Sequence, residues 1–233
     1  MRNLRQRART LPHMSRCNGF FGLILTLTAL LALTACGSAS GPSADDILAH
    51  TQKIQITDIT MDMTAGTTYK GNPTTAKGVM KFLVDPARSD AILTLTVAGT
   101  TATVEEIDDI SAAVVYARPV SASVAASGAW KKLSVSDNSL NYAQILAFDN
   151  LSNAQLVGEE TQQGLAVWHI RGDIIGKSIT STGDVYIRKD TYYPVKAVIT
   201  DSGSVPAITT LTYTAFNTGF SIAIPPDSQV QDG

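Results

Sequence analysis

The 233-residue chain is short of charge, cysteine and histidine. Only 16% of its residues are charged, and its two cysteines are Cys17 and Cys36. Two cysteines exclude a disulfide-stapled scaffold and a Cys-rich zinc module. The three histidines, His13, His50 and His169, are scattered and give a metal cluster little to work with. Familiar catalytic signatures are missing too. There is no G-x-S-x-G elbow, no H-E-x-x-H, no Walker loop, and no Gly-x-Gly beyond residue 36. Serine and threonine are abundant, but none has a visible His/Asp partner. The expectation is a protein that is not an enzyme, with no cofactor and no metal. Low charge does not mean disorder here, because 44% of the residues are hydrophobic, enough for one packed domain.

The small net charge of −2 hides an asymmetry. The first 35 residues hold Arg2, Arg5, Arg7, Arg9 and Arg16 and no acid, which leaves 13 basic and 20 acidic residues beyond them. Residues 20–33 (FFGLILTLTALLAL) are apolar and lead through small residues to Leu33-Thr34-Ala35-Cys36. A basic stretch, a short apolar run and a small-residue cleavage site make a secretory signal. The run is short for a membrane span, which needs about 20 residues. Its end resembles a bacterial lipobox, which implies cleavage before Cys36 and acylation of that thiol. An ordinary signal peptide with a chance cysteine and an uncleaved anchor helix are the plainer readings. The expected organisation is a signal over 1–35, a lipidated cysteine and small, polar tether over 36–44, and one domain over 45–229. Acyl chains would hold the protein to the outer face of the cell membrane, since each buried CH₂ contributes about 0.8 kcal/mol. The acidic balance of the remainder argues against nucleic acid.

Beyond the tether, a short helix is expected near Ser43, over Ala44–Thr51, where early acids precede an apolar pair. Period-two and β-branched runs then predict strands over 54–64, 77–85, 90–98, 101–107, 112–118, 130–135, 155–160, 165–171, 183–188, 194–201, 207–216 and 220–224. The segment 139–151 is the exception, with Tyr142, Ile145, Leu146 and Leu151 at helical spacing and Ser139 as a possible cap. The segment 119–129 reads as a mobile loop. The fold class expected from these strands is mainly β: one large antiparallel sheet, curled or closed into a barrel. One face of several strands is apolar, and two short helices are too few to cover it. That leaves room for an apolar cavity lined by Ile56, Met61, Met63, Met80, Phe82, Leu93, Leu95 and Val97, with Leu146 and Phe148 in the lid. Ordinary core packing is the alternative for each of these residues.

Two further features are weighed. The acids Glu105, Glu106, Asp108 and Asp109 lack the spacing and glycine of an EF-hand loop, so a solvated strand end is expected rather than a calcium site. His169 lies in Val167-Trp168-His169-Ile170-Arg171, and a surface-facing or hydrogen-bonded role is expected. Trp130 and Trp168 are expected to pack in the core or at its rim.

Four stretches carry a resemblance. They are Val115-Tyr116-Ala117-Arg118 with Gly128-Ala129-Trp130-Lys131-Lys132-Leu133; Leu156-Val157-Gly158-Glu159-Glu160 with Gly164 and Trp168-His169-Ile170-Arg171-Gly172; the run from Val185 to Lys196; and Tyr213 to Phe216 with Ile222-Ala223-Ile224-Pro225. In this order the chain resembles the LolA-like superfamily, most closely the mycobacterial LppX/LprG-type lipoproteins, over about residues 45–226. The resemblance implies a mainly β (α+β) fold, a strongly curved, half-open antiparallel sheet (an incomplete barrel) with short helices covering its open side, and an apolar cavity for the acyl chains of a membrane lipid, glycolipid or lipoglycan. It also implies a role in holding or moving that lipid in the envelope, as a monomer working with an export or transporter partner. A sensor or protein-interaction module on the same fold is the alternative.

Overall fold

The computed structural model describes residues 41–120, 128–134, 145–175, 180–203 and 205–232. The signal, Cys36, most of the 119–129 loop and residues 139–144 lie outside them. From Pro42 onward the chain forms one compact unit.

Helix α1 (Ala44–Thr51) starts where the sequence predicts. Its N-cap, Ser43, accepts a hydrogen bond from the Asp46 backbone N–H at 3.2 Å, and Asp46 accepts one from the Ser43 backbone N–H at 3.1 Å. This reciprocal box satisfies donors that a helix start leaves free. The Ser43 hydroxyl and backbone bonds hold the Asp46 carboxyl below its usual range. At the other end the Thr51 hydroxyl donates to the Tyr192 carbonyl at 3.1 Å, and His50 stacks on the Tyr192 ring. The helix is thereby pinned to the sheet.

Among the described residues twelve strands follow: β1 (Asp58–Tyr69), β2 (Asn72–Leu83), β3 (Arg88–Val97), β4 (Thr100–Asp109), β5 (Val114–Pro119), β6 (Trp130–Ser134), β7 (Leu151–Gln162), β8 (Leu165–Ile175), β9 (Thr180–Arg188), β10 (Pro194–Asp201), β11 (Ala207–Phe216) and β12 (Val230–Asp232). They form one open sheet in the order β12-β6-β5-β4-β3-β2-β1-β11-β10-β9-β8-β7. Three hairpins turn through two residues with positive φ, Lys70-Gly71, Ala98-Gly99 and Gln163-Gly164. Such turns match the strand twist and suit glycine in their second position. The sheet curls around the face that carries Met61, Phe82, Leu93, Trp168, Ile170, Val185, Ile187, Ile199 and Leu211, which share one core cluster with α1. This is the inner face.

Several expected elements differ from those found. Residues 54–57 connect α1 to β1 instead of pairing, and β2 starts five residues earlier than its apolar pattern suggested, because the polar stretch 72–76 continues the ladder with β1 and β3. Of the expected helix over 139–151, residues 139–144 lie outside the described ones, Ile145 is helical, a 3-10 turn follows at Ala147–Asp149, and Leu151 already opens β7. The expected strand at 220–224 is unpaired. Its alternating Phe220, Ile222 and Ile224 lie on the outer face, where they join Ile107, Tyr116, Trp130 and Val230 in a second apolar cluster. The Arg88 guanidinium donates to the Ile222 carbonyl at 3.3 Å. Past this strap the chain adds β12 to β6, the one parallel pairing among the described residues.

Candidate functional site

Of the ten expected lining residues, alternation places Met61, Met63, Met80, Phe82, Leu93, Leu95 and Val97 on the inner face, while Ile56 precedes β1 and Leu146 and Phe148 belong to the 3-10 turn and its N-cap. Nine of the ten, Ile56, Met61, Met63, Met80, Phe82, Leu93, Leu95, Leu146 and Phe148, lie in or against one apolar cluster. Val97 does not, and is 47% exposed. The helix contributes Ile47 and Leu48 to this cluster, and the 3-10 turn contributes Ala147 and Phe148. Phe148 meets the Tyr213 ring edge-on at a centroid distance of 5.7 Å. The Tyr213 hydroxyl donates to the Ile145 carbonyl at 3.0 Å, which fastens the turn to β11. Burial of Tyr213 first, with the nearby charge of Asp149, pushes its hydroxyl far above the ordinary tyrosine range. Each large side chain buried in this way contributes about 1.5–3 kcal/mol.

Burial falls along the strands. Going from the α1 end toward the hairpin tips at Lys70-Gly71 and Ala98-Gly99, Phe82 and Met80 are buried while Ala76 is half-buried. Leu93 is buried, Leu95 half-buried and Val97 exposed. Met61 is buried and Met63 half-buried. The inner face is therefore closed at one end and open at the other, where its apolar side chains meet solvent. Gly78 lies on this face between Met80 and Ala76, and a Cβ there would come within 1.9 Å of the Ile92 carbonyl oxygen. A separate groove of about 550 Å³, bordered by Leu165, Arg188, Tyr193, Pro194, Val195 and Phe216, shares none of the ten residues.

The acidic stretch of β4 does not behave as one solvated patch. Alternation sends Glu105 and Asp109 outward, where they pair with Arg118 at 2.6 Å and Arg88 at 3.4 Å. Glu106 and Asp108 point inward beside Ala91 and Ser89 of β3. Asp108 is 4% exposed, and Ser89 donates to it. This inward pair is missed in a sequence whose acids occupy both faces of the strand. Among the described residues, no three His, Cys, Asp or Glu side chains come together as metal ligands.

His169 is buried and hydrogen-bonded on the outer face. Its Nδ1 lies 2.7 Å from Glu160 and its Nε2 lies 2.6 Å from Asp184, and the Arg171 guanidinium donates twice to Asp184. The bond to His169 is foremost in holding the Glu160 carboxyl below its usual range. Burial works to raise Asp184, but the bonds from Arg171 and His169 outweigh it and hold that carboxyl low as well. The network ties β7, β8 and β9 together on the outer face. Trp130 and Trp168 are both buried, as packing residues.

No family model matches the chain, and no curated protein matches it. Solved structures do. LprF from Mycobacterium bovis superposes with a TM-score of 0.53 at 14% identity, covering 78% of this chain and 96% of LprF. The Mycobacterium tuberculosis lipoprotein LppX superposes with a TM-score of 0.48 at 15% identity, covering 76% of this chain and 98% of LppX. At such identity the likeness speaks to architecture alone, and the chain shares the fold of LprF.

Proposed function

We propose that the protein is a lipoprotein that holds the acyl chains of a membrane lipid or glycolipid on the inner face of its sheet and carries or presents that lipid in the cell envelope. The observation that carries this reading is the burial gradient. An apolar face that is capped at the α1 end and reaches solvent at Val97 offers acyl chains a way in. Met61, Met63 and Met80 suit such a face, because unbranched thioethers repack around chains of different shape. Cys36 supplies the anchor, the 36–44 tether its reach, and the outer face of the cell membrane its place of work. The bound species touches side chains that pack and do no chemistry, so the role is not enzymatic.

The test is native mass spectrometry of protein purified from its own membrane. One acyl lipid per chain is expected, and Leu95→Arg, which places a cation on the open half of the face, should lower its occupancy at least tenfold. A chain that carries no lipid in either form overturns the reading. Cys36→Ala should move the protein from the membrane to the soluble fraction; retention on the membrane would refute the anchor.

A further inference from the structure

We propose that Glu106 and Asp108 share one proton and together form a pH-sensitive element of the inner face, which loosens the β3–β5 end of the sheet when that proton leaves. Two carboxyls two residues apart on a strand stand side by side on the same face, and here that face is the apolar one. Asp108 is almost fully enclosed, with Ser89 donating to one part of its carboxyl. Its Oδ1 is buried and finds no N–H or O–H donor among the described residues. The neighbouring Glu106 carboxyl is in hydrogen-bond reach of it, and two ionised carboxylates cannot bond to each other because both only accept. A proton on Glu106 supplies the donor that Asp108 lacks. Like charges at this separation cannot both ionise cheaply.

Among the described residues, no charged side chain on the inner face of the neighbouring strands pairs with Glu106 or Asp108. On the inner face β3 presents Ser89, Ala91 and Leu93, β4 itself presents Val104, β5 presents Val115 and Ala117, and β2 presents Met80 and Phe82. The strand register puts Lys131 of β6 on this face two strands from Glu106, a separation of about 10 Å, and Lys131 is exposed. Asp90, Glu105, Arg118, Arg88 and Asp109 project from the outer face. Burial first, then the charge and hydrogen bond of Asp108, push the Glu106 carboxyl up to about 7. Burial also raises Asp108, against the bonds from Ser89 and Glu106. A carboxyl with a raised native pKa favours the folded state most at low pH. That advantage is lost as pH rises from the ordinary glutamate range through about 7. None of this depends on what the inner face carries.

Urea unfolding of the full chain between pH 5 and pH 8 tests the proposal, with carboxyl-carbon NMR titration of Glu106 alongside. The folding equilibrium constant should fall by about a hundredfold over that range. Glu106→Gln, which keeps the shape and always donates to Asp108, should remove most of the slope. Asp108→Asn should lower the midpoint of the Glu106 titration. A slope unchanged in Glu106→Gln, or a Glu106 midpoint in wild type below pH 5, overturns the proposal. The wild-type titration decides the matter even if neither variant folds.

Discussion

Asp58 shows how much a single side chain organises here. At the first position of β1 its carboxylate accepts from the backbone N–H groups of Thr218 and Gly219 at 2.8 and 3.0 Å, and from the hydroxyls of Thr218 and Thr57. The start of the sheet thereby grips the start of the C-terminal strap. Burial works to raise this carboxyl, but the Gly219 and Thr218 bonds prevail and hold it below its usual range. The stability it adds is present above the ordinary aspartate pKa and is lost as pH falls through the lower native value. Asp58→Ala should strand two backbone donors and cost about 2–3 kcal/mol in urea unfolding at neutral pH; a cost under about 0.5 kcal/mol would show that the grip is unimportant. The sequence gives no hint of this contact, since Asp58 and Gly219 are far apart in the chain. The lining residues are different. Met80, Phe82, Leu93 and Leu95 declare their face by strict alternation, so their placement could be read in advance. Glu106 and Asp108 could not, because in Val104-Glu105-Glu106-Ile107-Asp108-Asp109 both faces of the strand carry acids.

Among the elements, those with local signals were legible and those placed by distant packing were not. Helix α1 announces itself through Ser43 and Asp46, and the hairpins through a glycine in the turn. The segment 220–224 alternates like a strand, yet its neighbours β4 to β6 have already spent their backbone groups on one another. It lies across them through its apolar side chains and the Arg88 bond to its Ile222 carbonyl. Position 78 tests how tightly the elements meet. Any side chain there drives a carbon into the Ile92 carbonyl, which belongs to the backbone and cannot turn aside. Gly78→Ala should force β2 and β3 apart, lowering stability by about 2 kcal/mol or more and increasing amide exchange at Leu93 and Ile92. Wild-type exchange at those amides would show that the strands absorb the methyl group.

At the scale of the whole molecule the sheet is two meanders joined by one seam. Strands β1 to β6 follow one another on one side and β7 to β11 on the other, and the halves meet where β1 pairs with β11. The inner core spans both halves, taking Met61, Phe82 and Leu93 from one and Trp168, Val185 and Ile199 from the other. Neither meander can bury its apolar face alone. Native-state hydrogen exchange should therefore find β1, β10 and β11 opening together in the slowest class, as one cooperative unit. Separate opening of the two meanders would contradict a shared core. The overall class, one large curved β sheet, was readable from the many short alternating strands, while its half-open form was implied only by the resemblance. The seam was not, since nothing local in Ile59–Thr67 names Ala207–Phe216 as its partner.

The seam also sets a timetable. As the chain is made from its N-terminus, the first meander is complete long before residue 207 exists, and one flank of β1 waits with its backbone groups unpaired. Such a flank is a template for any passing strand, so the interval before β11 arrives is when the nascent protein is most open to mispairing with another copy of itself. The strap and β12 come later still, and with them the Asp58 grip. The last 27 residues of the sequence thus act as a clasp, and a chain that stalls short of them has every strand of its first half and no means of closing it.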